Sequence, residues 1–521
     1  MNPWVPRGAA ITAGLAAAFA HPPFGFLIGL LGYAAIFWLA DRAGPERPLR
    51  SAFFRGWLAG TAYFTVGTWW IFEAFQVNAA EQGWMAPFAV GLMAGGLGVF
   101  WGLACLAYRA LKGEGVVRVL LFAGIFSAVE WGRGHVLGGF PWNLPGETWK
   151  AGTAPSQAAS LVGAYGLTWV TLAAVSTAGL MARTRPALIA LAMGALGIAS
   201  LYAYGAIRMA QAAPAATTGP VVRVVQPNTA EQPTYDLAAF NEILRRHLAL
   251  TSQPAARAPD IIVWSESGLP DAMDDYLAPG SASRAAIDAA LKPGQTLLTG
   301  GYRGQLDARG QRYFNSLLAL TRGPDGSTIT AIYDKHRLVP FGEFMPLDSL
   351  ASKLGFKQLV HVGQGFTAGP PPRPIFPPGI PPVQPLICYE SLYPGFTRDG
   401  AIAAHRRAAW IANVSDDAWF GVTSGPWQHL NLASYRAIEE GLPIVRATPT
   451  GVSAIIDAYG RVVPGKLLGQ GTYGVIDATL PPALAGTLFT RLGEAPFYLM
   501  LLISLAGVRF RRATLRRNIE A

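Results

Sequence analysis

The chain has 521 residues, of which 51% are hydrophobic and only 14% charged, with a formal net charge of +10 and a positive mean hydropathy. It is too long for one ordinary domain, and too poor in charge for a wholly soluble protein, which carries roughly a quarter charged residues. Two cysteines exclude a disulfide framework, and basic residues in short clusters between apolar runs argue against nucleic acid as a partner.

In chain order, the first features are apolar runs. A spanning helix needs roughly 20 mostly apolar residues, and such runs fall near 8–21, 24–41, 53–74, 85–110, 116–132, 155–182 and 187–207, with an eighth near 493–510. Glycine and alanine abound in them, which suits close helix packing in lipid. The N-terminus is basic and then apolar, but "AFAHPPFGF" leads straight into the second run, so it reads as an uncleaved span rather than a removed signal peptide. Charge supports the count. Arg42, Arg47, Arg50 and Arg55 follow the second run, Arg109, Lys112 and Arg118 the fourth, Arg183 and Arg185 the sixth, and Arg509, Arg511, Arg512, Arg516 and Arg517 the last. The alternate loops, "HPPFG", "EAFQVNAAEQG" and 133–154, hold only Arg133 and Lys150. By the positive-inside rule both termini are expected in the cytoplasm and residues 210–490 on the outer face of the plasma membrane. The expected organisation is seven spans over 1–210, an extramembrane domain over 218–488, and a last span with a basic tail over 493–521.

From "GPVVRVVQPN" the pattern changes. Short β-branched runs alternate with amphipathic stretches: "VVRVVQ", "LAAFNEILRRHLALTS", "DIIVWSES", then "QTLLTGGY", "NSLLALT", "TITAIYDK", "VQPLICYES", "AAWIANVS", "PIVRATPTGVSAIID" and "TYGVIDATL". Strands interleaved with helices predict an α/β domain with a β-rich core. The Pro-rich "GPPPRPIFPPGIPP" cannot be a central strand and reads as a loop or hairpin ahead of the cysteine strand.

Three residues at predicted strand ends carry the chemistry. Taken singly, Glu266 is a solvated loop carboxylate, Lys335 a surface charge and Cys388 a buried structural thiol. Converging at one rim, they are a base for the thiol proton, a cation for an oxyanion or the thiolate, and a nucleophile, since a free thiol needs an adjacent base or a lowered pKa to attack a carbonyl. Other residues take bland readings. Glu130 and His135 sit at a membrane boundary as structural groups. Trp142 is either an interfacial anchor or part of a lipid site. Arg436, Glu439 and Glu440 have the spacing of helical ion pairs. Asp416 and Asp417 lack metal-ligand partners, so no metal is expected.

The chain order Glu, Lys, Cys within "WSES", "DKHRLVPFGEFMP" and "ICYES" resembles the nitrilase superfamily of carbon–nitrogen hydrolases. With about eight spans around it, and with "GFPW", "NVSDDAWFG", "GPWQHL" and "RATPTGVSAIID", the chain resembles along essentially its whole length that superfamily's membrane-embedded branch, the apolipoprotein N-acyltransferase family. The resemblance implies a polytopic α-helical membrane domain joined to an α-β-β-α nitrilase-like sandwich. It implies Glu266 as general base, Lys335 as transition-state stabiliser and Cys388 as nucleophile, the backbone N–H after Cys388 completing an oxyanion hole. Glu343, Tyr389 and Glu390 match supporting residues. Tyr235 stands where the family often has tryptophan, and with Trp142, Trp419 and Phe420 is implied to touch substrate.

The implied reaction moves an acyl chain from the sn-1 position of a phospholipid such as phosphatidylethanolamine, through a Cys388 thioester, to the N-terminal amine of a diacylglyceryl-modified cysteine. The implied partners are the phospholipid donor, the diacylated apolipoprotein and the bilayer of a bacterial inner membrane, with no cofactor and a monomeric state. Apolar pieces such as "FGEFMPL" and "ASKLGFKQLV", and the aromatics near 419–427, are expected as mobile arms reaching the lipid surface. The competing readings are a membrane-anchored amidase acting on a small amide, and a transporter or receptor bearing a degenerate nitrilase-like domain.

Overall fold

The computed structural model describes residues 4–44, 46–111, 113–181, 183–212, 218–308, 310–344 and 365–505. Lys112, the basic tail from Arg509 to Arg517 and most of the two expected arms between 341 and 360 lie outside these residues. The chain forms two compact units, Met1–Ala212 with Gly486–Ala521, and Ala213–Ala485.

The first unit is helical. Three of its helices, Ala79–Leu111, Pro155–Leu180 and Arg185–Ala210, are long and apolar enough to cross a membrane, and Leu27–Asp41 and Ala495–Leu505 are shorter apolar helices. Helices also occupy the other expected places, at Trp4–Phe19, Pro48–Thr68 and Val117–Arg133, but two of these have only 16 and 17 residues and the third carries Arg50 and Arg55. The expected run 53–74 is not one helix: it starts earlier, at Pro48, and breaks after Thr68. Proline suits that first turn because the N–H it lacks would have no helical partner there. Arg55 turns back to donate to the carbonyls of Leu39, at 2.9 Å, and Arg42, at 3.0 Å, so a residue read as a topology signal also satisfies the open end of Leu31–Asp41. Close packing rests on glycine: a Cβ on Gly60 would fall 2.9 Å from the Gly98 Cα on the neighbouring helix.

Inside this unit, Trp101 is enclosed by Tyr33, Tyr63, Phe64 and Phe126 and donates to Glu130 at 2.9 Å. Glu130 is also ion-paired with buried Arg133, which gives it the structural role expected of it. His135 is exposed and stacks on Trp131 with ring centroids 4.2 Å apart. Trp142 is buried, packed against Trp70 and Phe140, and does not stand at a surface as an interfacial anchor would.

The second unit holds two sheets. The strands are β1 (Val221–Gln226), β2 (Ile261–Val263), β3 (Thr296–Asp307), β4 (Gly310–Arg322), β5 (Ser327–Asp334), β6 (Val383–Ile387), β7 (Trp410–Val414), β8 (Ile444–Ala447), β9 (Ser453–Ile456), β10 (Val462–Leu468) and β11 (Gly474–Thr479). One sheet runs β11-β1-β2-β3-β4-β5, the other β10-β9-β8-β7-β6. Strands β1, β2 and β3 are parallel, as are β6, β7 and β8. Because β4 is antiparallel to both β3 and β5, β5 ends on the same edge as β2.

The period-two alternation of a strand builds the layers. Val222, Val224, Ile261, Val263 and Leu317 share one core with Val383, Ile387, Ala412, Val414 and Val445 of the other sheet. Their neighbours Val225, Ile262, Trp264, Leu297 and Leu318 point the other way, onto Ile243, Leu244 and Leu250 of the helix Leu237–Thr251 and Ile287 of Ala282–Ala290. Each fully buried Val, Ile or Leu is worth roughly 1.5–3 kcal/mol relative to exposure, so register is strongly fixed. The Pro-rich stretch ahead of β6 is a loop, as its composition predicts; it meets the sheet through an antiparallel bridge from Ile375 to Val383 and through the Pro381 carbonyl, which accepts from Trp410 Nε1 at 3.1 Å.

Candidate active site

Four strands of the second unit deliver candidate side chains just beyond their C-terminal ends, where ligands of open α/β sheets bind. Glu266 lies three residues past β2, Lys335 one past β5, Cys388 one past β6, and Ser415 one past β7. Two of the exits are tight. Cys388 has φ of 48° and Ser267, next to Glu266, has φ of 51°, the left-handed region that costs a non-glycine residue.

Lys335 is the centre of the first cluster. Its Nζ donates to Glu266 Oε1 at 3.1 Å and to Glu343 Oε1 at 2.9 Å. Asn315, on β4, donates its Nδ2 to the same two oxygens at 2.7 and 2.8 Å. The remaining oxygens are held by backbone: Asp416 N–H donates to Glu266 Oε2 at 2.8 Å and Val339 N–H to Glu343 Oε2 at 2.9 Å. All four side chains are buried. Burial disfavours the lysine charge, but Glu266, Glu343 and Cys388 outweigh it and hold the amine well above its ordinary value.

Glu266, Lys335, Ser415 and Asp417 act on the Cys388 thiol electrostatically. Burial pushes the thiol well up, Glu266 pushes the same way, and Lys335 and the Ser415 hydroxyl oppose them. The resting sulfur is therefore a neutral thiol beside a carboxylate, which is the arrangement for proton removal during attack rather than before it.

Glu390 does not face the sulfur. It joins the exits of β5 and β6, accepting from Tyr333 Oη at 2.9 Å, His336 N–H at 2.7 Å, Arg337 N–H at 3.2 Å and Ile387 N–H at 2.9 Å. Burial still pushes it up to about 7 against these donors and Lys335. Tyr389 packs edge-on against Tyr393, ring centroids 5.4 Å apart. Phe420 meets His429 edge-on at 5.8 Å, and Trp419 is half-buried beside it. Tyr235 accepts from Gln232 N–H at 3.2 Å and packs on the helical face of the first sheet; its hydroxyl meets Glu231, which in turn bonds Asp416. Trp142 belongs to the helical unit. Arg436 pairs with Glu439 at 2.8 Å, as the helical spacing predicts.

A second cluster backs the turn that carries Cys388. Asp417 accepts from Ser415 Oγ at 2.8 Å, His429 Nδ1 at 3.0 Å and Arg446 Nη2 at 2.7 Å. His429 Nε2 lies 3.0 Å from Ser391 Oγ and 3.3 Å from the Cys388 carbonyl oxygen. Ser391 Oγ also donates to that carbonyl, at 2.8 Å, and Arg446 reaches Asn413 on β7. Burial alone would raise Asp417, but Arg446, His429 and Ser415 hold it well below the ordinary carboxylate range.

Asn315, Ser415, His429 and Arg446 were not singled out by sequence reasoning. A signal existed for two of them: Asn315 heads the apolar run "NSLLALT" and Arg446 interrupts "PIVRATP", and a polar or charged side chain inside a buried strand must have a partner. His429 and Ser415 sit in motifs that carried the family resemblance without a role of their own.

Comparison with known proteins places the chain in a family. A family model described as carbon-nitrogen hydrolase matches residues 221–488, and one described as apolipoprotein N-acyltransferase N-terminal domain matches residues 13–178. The apolipoprotein N-acyltransferase of Caulobacter vibrioides is 53% identical over 96% of this chain and 94% of its own. That of Bradyrhizobium diazoefficiens is 37% identical over 98% of this chain and 96% of its own. Among solved structures, an amidase from Nesterenkonia sp. is 16% identical, covering 58% of this chain and 97% of its own with a TM-score of 0.34.

Proposed function

The chain belongs to the apolipoprotein N-acyltransferase family, and from that premise we propose a two-step acyl transfer in which Cys388 carries the acyl group between a phospholipid and the N-terminal amine of a diacylated lipoprotein. The observation that supports it most is Lys335 held between Glu266 and Glu343 at the strand edge where Cys388 emerges.

In the first step Glu266 takes the Cys388 proton as sulfur attacks the sn-1 ester carbonyl of a phospholipid such as phosphatidylethanolamine. Lys335 and the backbone N–H after Cys388 bear the oxyanion. The C–O bond breaks, Glu266 returns the proton to the leaving oxygen, and lysophospholipid departs. In the second step the lipoprotein's α-amine attacks the thioester, Glu266 takes its proton, the C–S bond breaks, and the proton returns to sulfur. Glu343 and Asn315 keep Lys335 and Glu266 in register. Acyl groups and protons alone move, so no cofactor is called for. Tyr235, Trp419 and Phe420, with Trp142 in the helical unit, are the proposed lipid contacts, and Tyr389 and Glu390 support the nucleophile turn.

The apolar helices have a reason in this chemistry. Withdrawing a bound acyl chain into water costs about 0.8 kcal/mol per CH₂, so both substrates keep their chains in the bilayer. We propose eight spans, with both termini in the cytoplasm and a catalytic unit, residues 218–488, on the periplasmic face of the inner membrane, acting as a monomer.

Intact-protein mass spectrometry after incubation with phosphatidylethanolamine tests the proposal. The wild type gains one acyl mass, Cys388→Ala gains none, and a diacylated lipopeptide discharges it. A wild type that stays unmodified while lipopeptide is acylated removes the covalent route. Cleavage of a soluble amide with no lipid product makes the protein an amidase.

A further inference from the structure

The register of the second sheet pairs Ile387 with Val414, so the next residues on each strand, Cys388 and Ser415, leave the sheet side by side. Ser415 is fully buried, and its backbone is pinned by an N–H bond to the Ala447 carbonyl at 3.0 Å. Its hydroxyl donates to Asp417 Oδ1 at 2.8 Å, and the register sets it next to the Cys388 side chain, whose acidity it raises. A hydroxyl has one proton to donate, so it serves one of them at a time.

We propose that Ser415 is a further catalytic residue: its hydroxyl turns from Asp417 to the Cys388 sulfur whenever that sulfur is negative, and Asp417, His429 and Arg446 position it. The inference rests on the reading of Cys388 as the acyl-bearing nucleophile.

The choice of acceptor follows from charge. A neutral thiol or a thioester sulfur is a weak acceptor and a carboxylate a strong one, so at rest and in the acyl-enzyme the hydroxyl belongs to Asp417. When Glu266 removes the thiol proton, or when C–S breaks in the second step, the thiolate becomes the more demanding partner. Asp417 is not stranded by the change, because His429 Nδ1 and Arg446 Nη2 keep donating to it. The Ser415 proton never leaves its oxygen; no bond other than the hydrogen bond is exchanged, and the transferred proton still travels through Glu266.

The charged surroundings leave this task to Ser415. The charged groups that act on the sulfur are Glu266 beyond β2, Lys335 beyond β5 and Asp417 beyond β7. His429 on the helix Gly425–Glu440 and Arg446 on β8 face Asp417. Glu343 reaches the site through Lys335, and Glu390 turns its oxygens to backbone and Tyr333. Lys335, the cation beside the sulfur, is already shared between two carboxylates, so a second donor to the thiolate has a clear place.

The test compares wild type, Ser415→Ala and Ser415→Thr as full-length protein in detergent. Two quantities are read: the pH dependence of Cys388 alkylation by iodoacetamide, located by peptide mass, and the rate of acyl-enzyme formation from phosphatidylethanolamine. Losing one hydrogen bond to a charged group is expected to move the alanine profile up by about one pH unit and to slow acylation about tenfold. Threonine, which keeps the hydroxyl, is expected to stay near wild type in both. An alanine profile that superimposes on the wild type overturns the proposal. So does slow acylation in both variants with an unmoved profile, which would make Ser415 a packing residue. If the wild type forms no acyl-enzyme while the alkylation profile still shifts, the acyl-transfer reading falls and the hold of Ser415 on the sulfur stands.

Discussion

The two sides of Cys388 solve the same problem in opposite ways. On the side of the six-stranded sheet one buried cation, Lys335, is shared by two carboxylates. On the side of the five-stranded sheet one buried carboxylate, Asp417, is shared by Arg446, His429 and Ser415. Burial first and then Glu266 of the first cluster raise the thiol's pKa against Lys335, so in the proposed reaction this is where protons move. The second holds its carboxylate locked in the charged form, so it is a fixed electrostatic floor under the nucleophile turn. Similar residues serve as chemistry on one side and as scaffold on the other because of how many opposite charges each one meets.

The sharpest way to break this contrast is Glu266→Gln. Losing the general base is expected to cut acyl-enzyme formation about 10²–10⁴-fold, read by the growth of the acylated mass. The same substitution removes a negative charge that raises the thiol, so Cys388 alkylation is expected to move to lower pH. A more easily ionised yet inactive cysteine would separate proton transfer from thiol acidity. An alkylation profile that moves up instead would contradict the charge balance drawn here.

Lys335→Met tests the cation. Breaking a buried pair by removing one partner costs about 3–5 kcal/mol, and losing an oxyanion donor costs about 10²–10³ in rate. The expectation is a lower thermal midpoint in detergent together with loss of acylation. Adding Glu343→Gln to Lys335→Met is expected to restore part of the midpoint and none of the activity. Recovery of both would show Lys335 to be structural.

How much of this the sequence showed depends on the kind of residue. Glu266, Lys335 and Cys388 were legible because each ends a recognisable β-run. The sheet strands were legible because alternation and β-branching survive in "VVRVVQ" and "TITAIYDK". The helix break after Thr68 was not, because "TVGTWWIFEAF" stays apolar across it and hydropathy does not record where the axis turns. The second cluster was hidden for another reason. Asp417, His429 and Arg446 come from the short 3-10 helix Asp417–Phe420, the helix Gly425–Glu440 and β8, and the parallel packing of β6, β7 and β8 brings them behind Cys388. Asp417 next to Asp416 reads as an acidic pair, yet the two have different fates: Asp417 is held low by Arg446, while Asp416 is pushed well up by burial, Glu231 and Glu266.

Asn315→Ala gives a smaller effect on the first cluster. Its amide donates to both Glu266 and Glu343, and losing hydrogen bonds to charged groups is expected to cost about 1.5–3 kcal/mol, visible in the thermal midpoint. Acylation should fall less than in Lys335→Met, because Lys335 still holds both carboxylates. An effect as large as that of Lys335→Met would mean that Asn315, not the lysine, sets the geometry.

The smallest effect is expected from the second cluster and concerns pH. Burial and Arg446 hold His429 below the ordinary imidazole value of 6.5. A histidine depressed in the fold favours the native state above 6.5 and loses that contribution as pH falls below it, because the unfolded chain takes up a proton that the native chain refuses. Glu390 and Glu440, pushed up to about 7 and about 8, work the other way: each favours the native state more as pH falls toward the ordinary carboxylate value. Glu231 and Asp416, also raised, and His247, also lowered, shape the wild-type profile as well, so His429 shows only in a difference between two proteins. His429→Gln is expected to lower the thermal midpoint at pH 7.5, where the lost bond to Asp417 counts in full, and to lose less on going to pH 5.5 than the wild type does. A variant that instead loses more than the wild type on that step would mean that His429 is protonated in the native state, donating from both nitrogens to Asp417 and the Cys388 carbonyl, and the turn that carries Cys388 would then rest on one more positive charge; parallel profiles would mean that folding leaves its pKa unchanged.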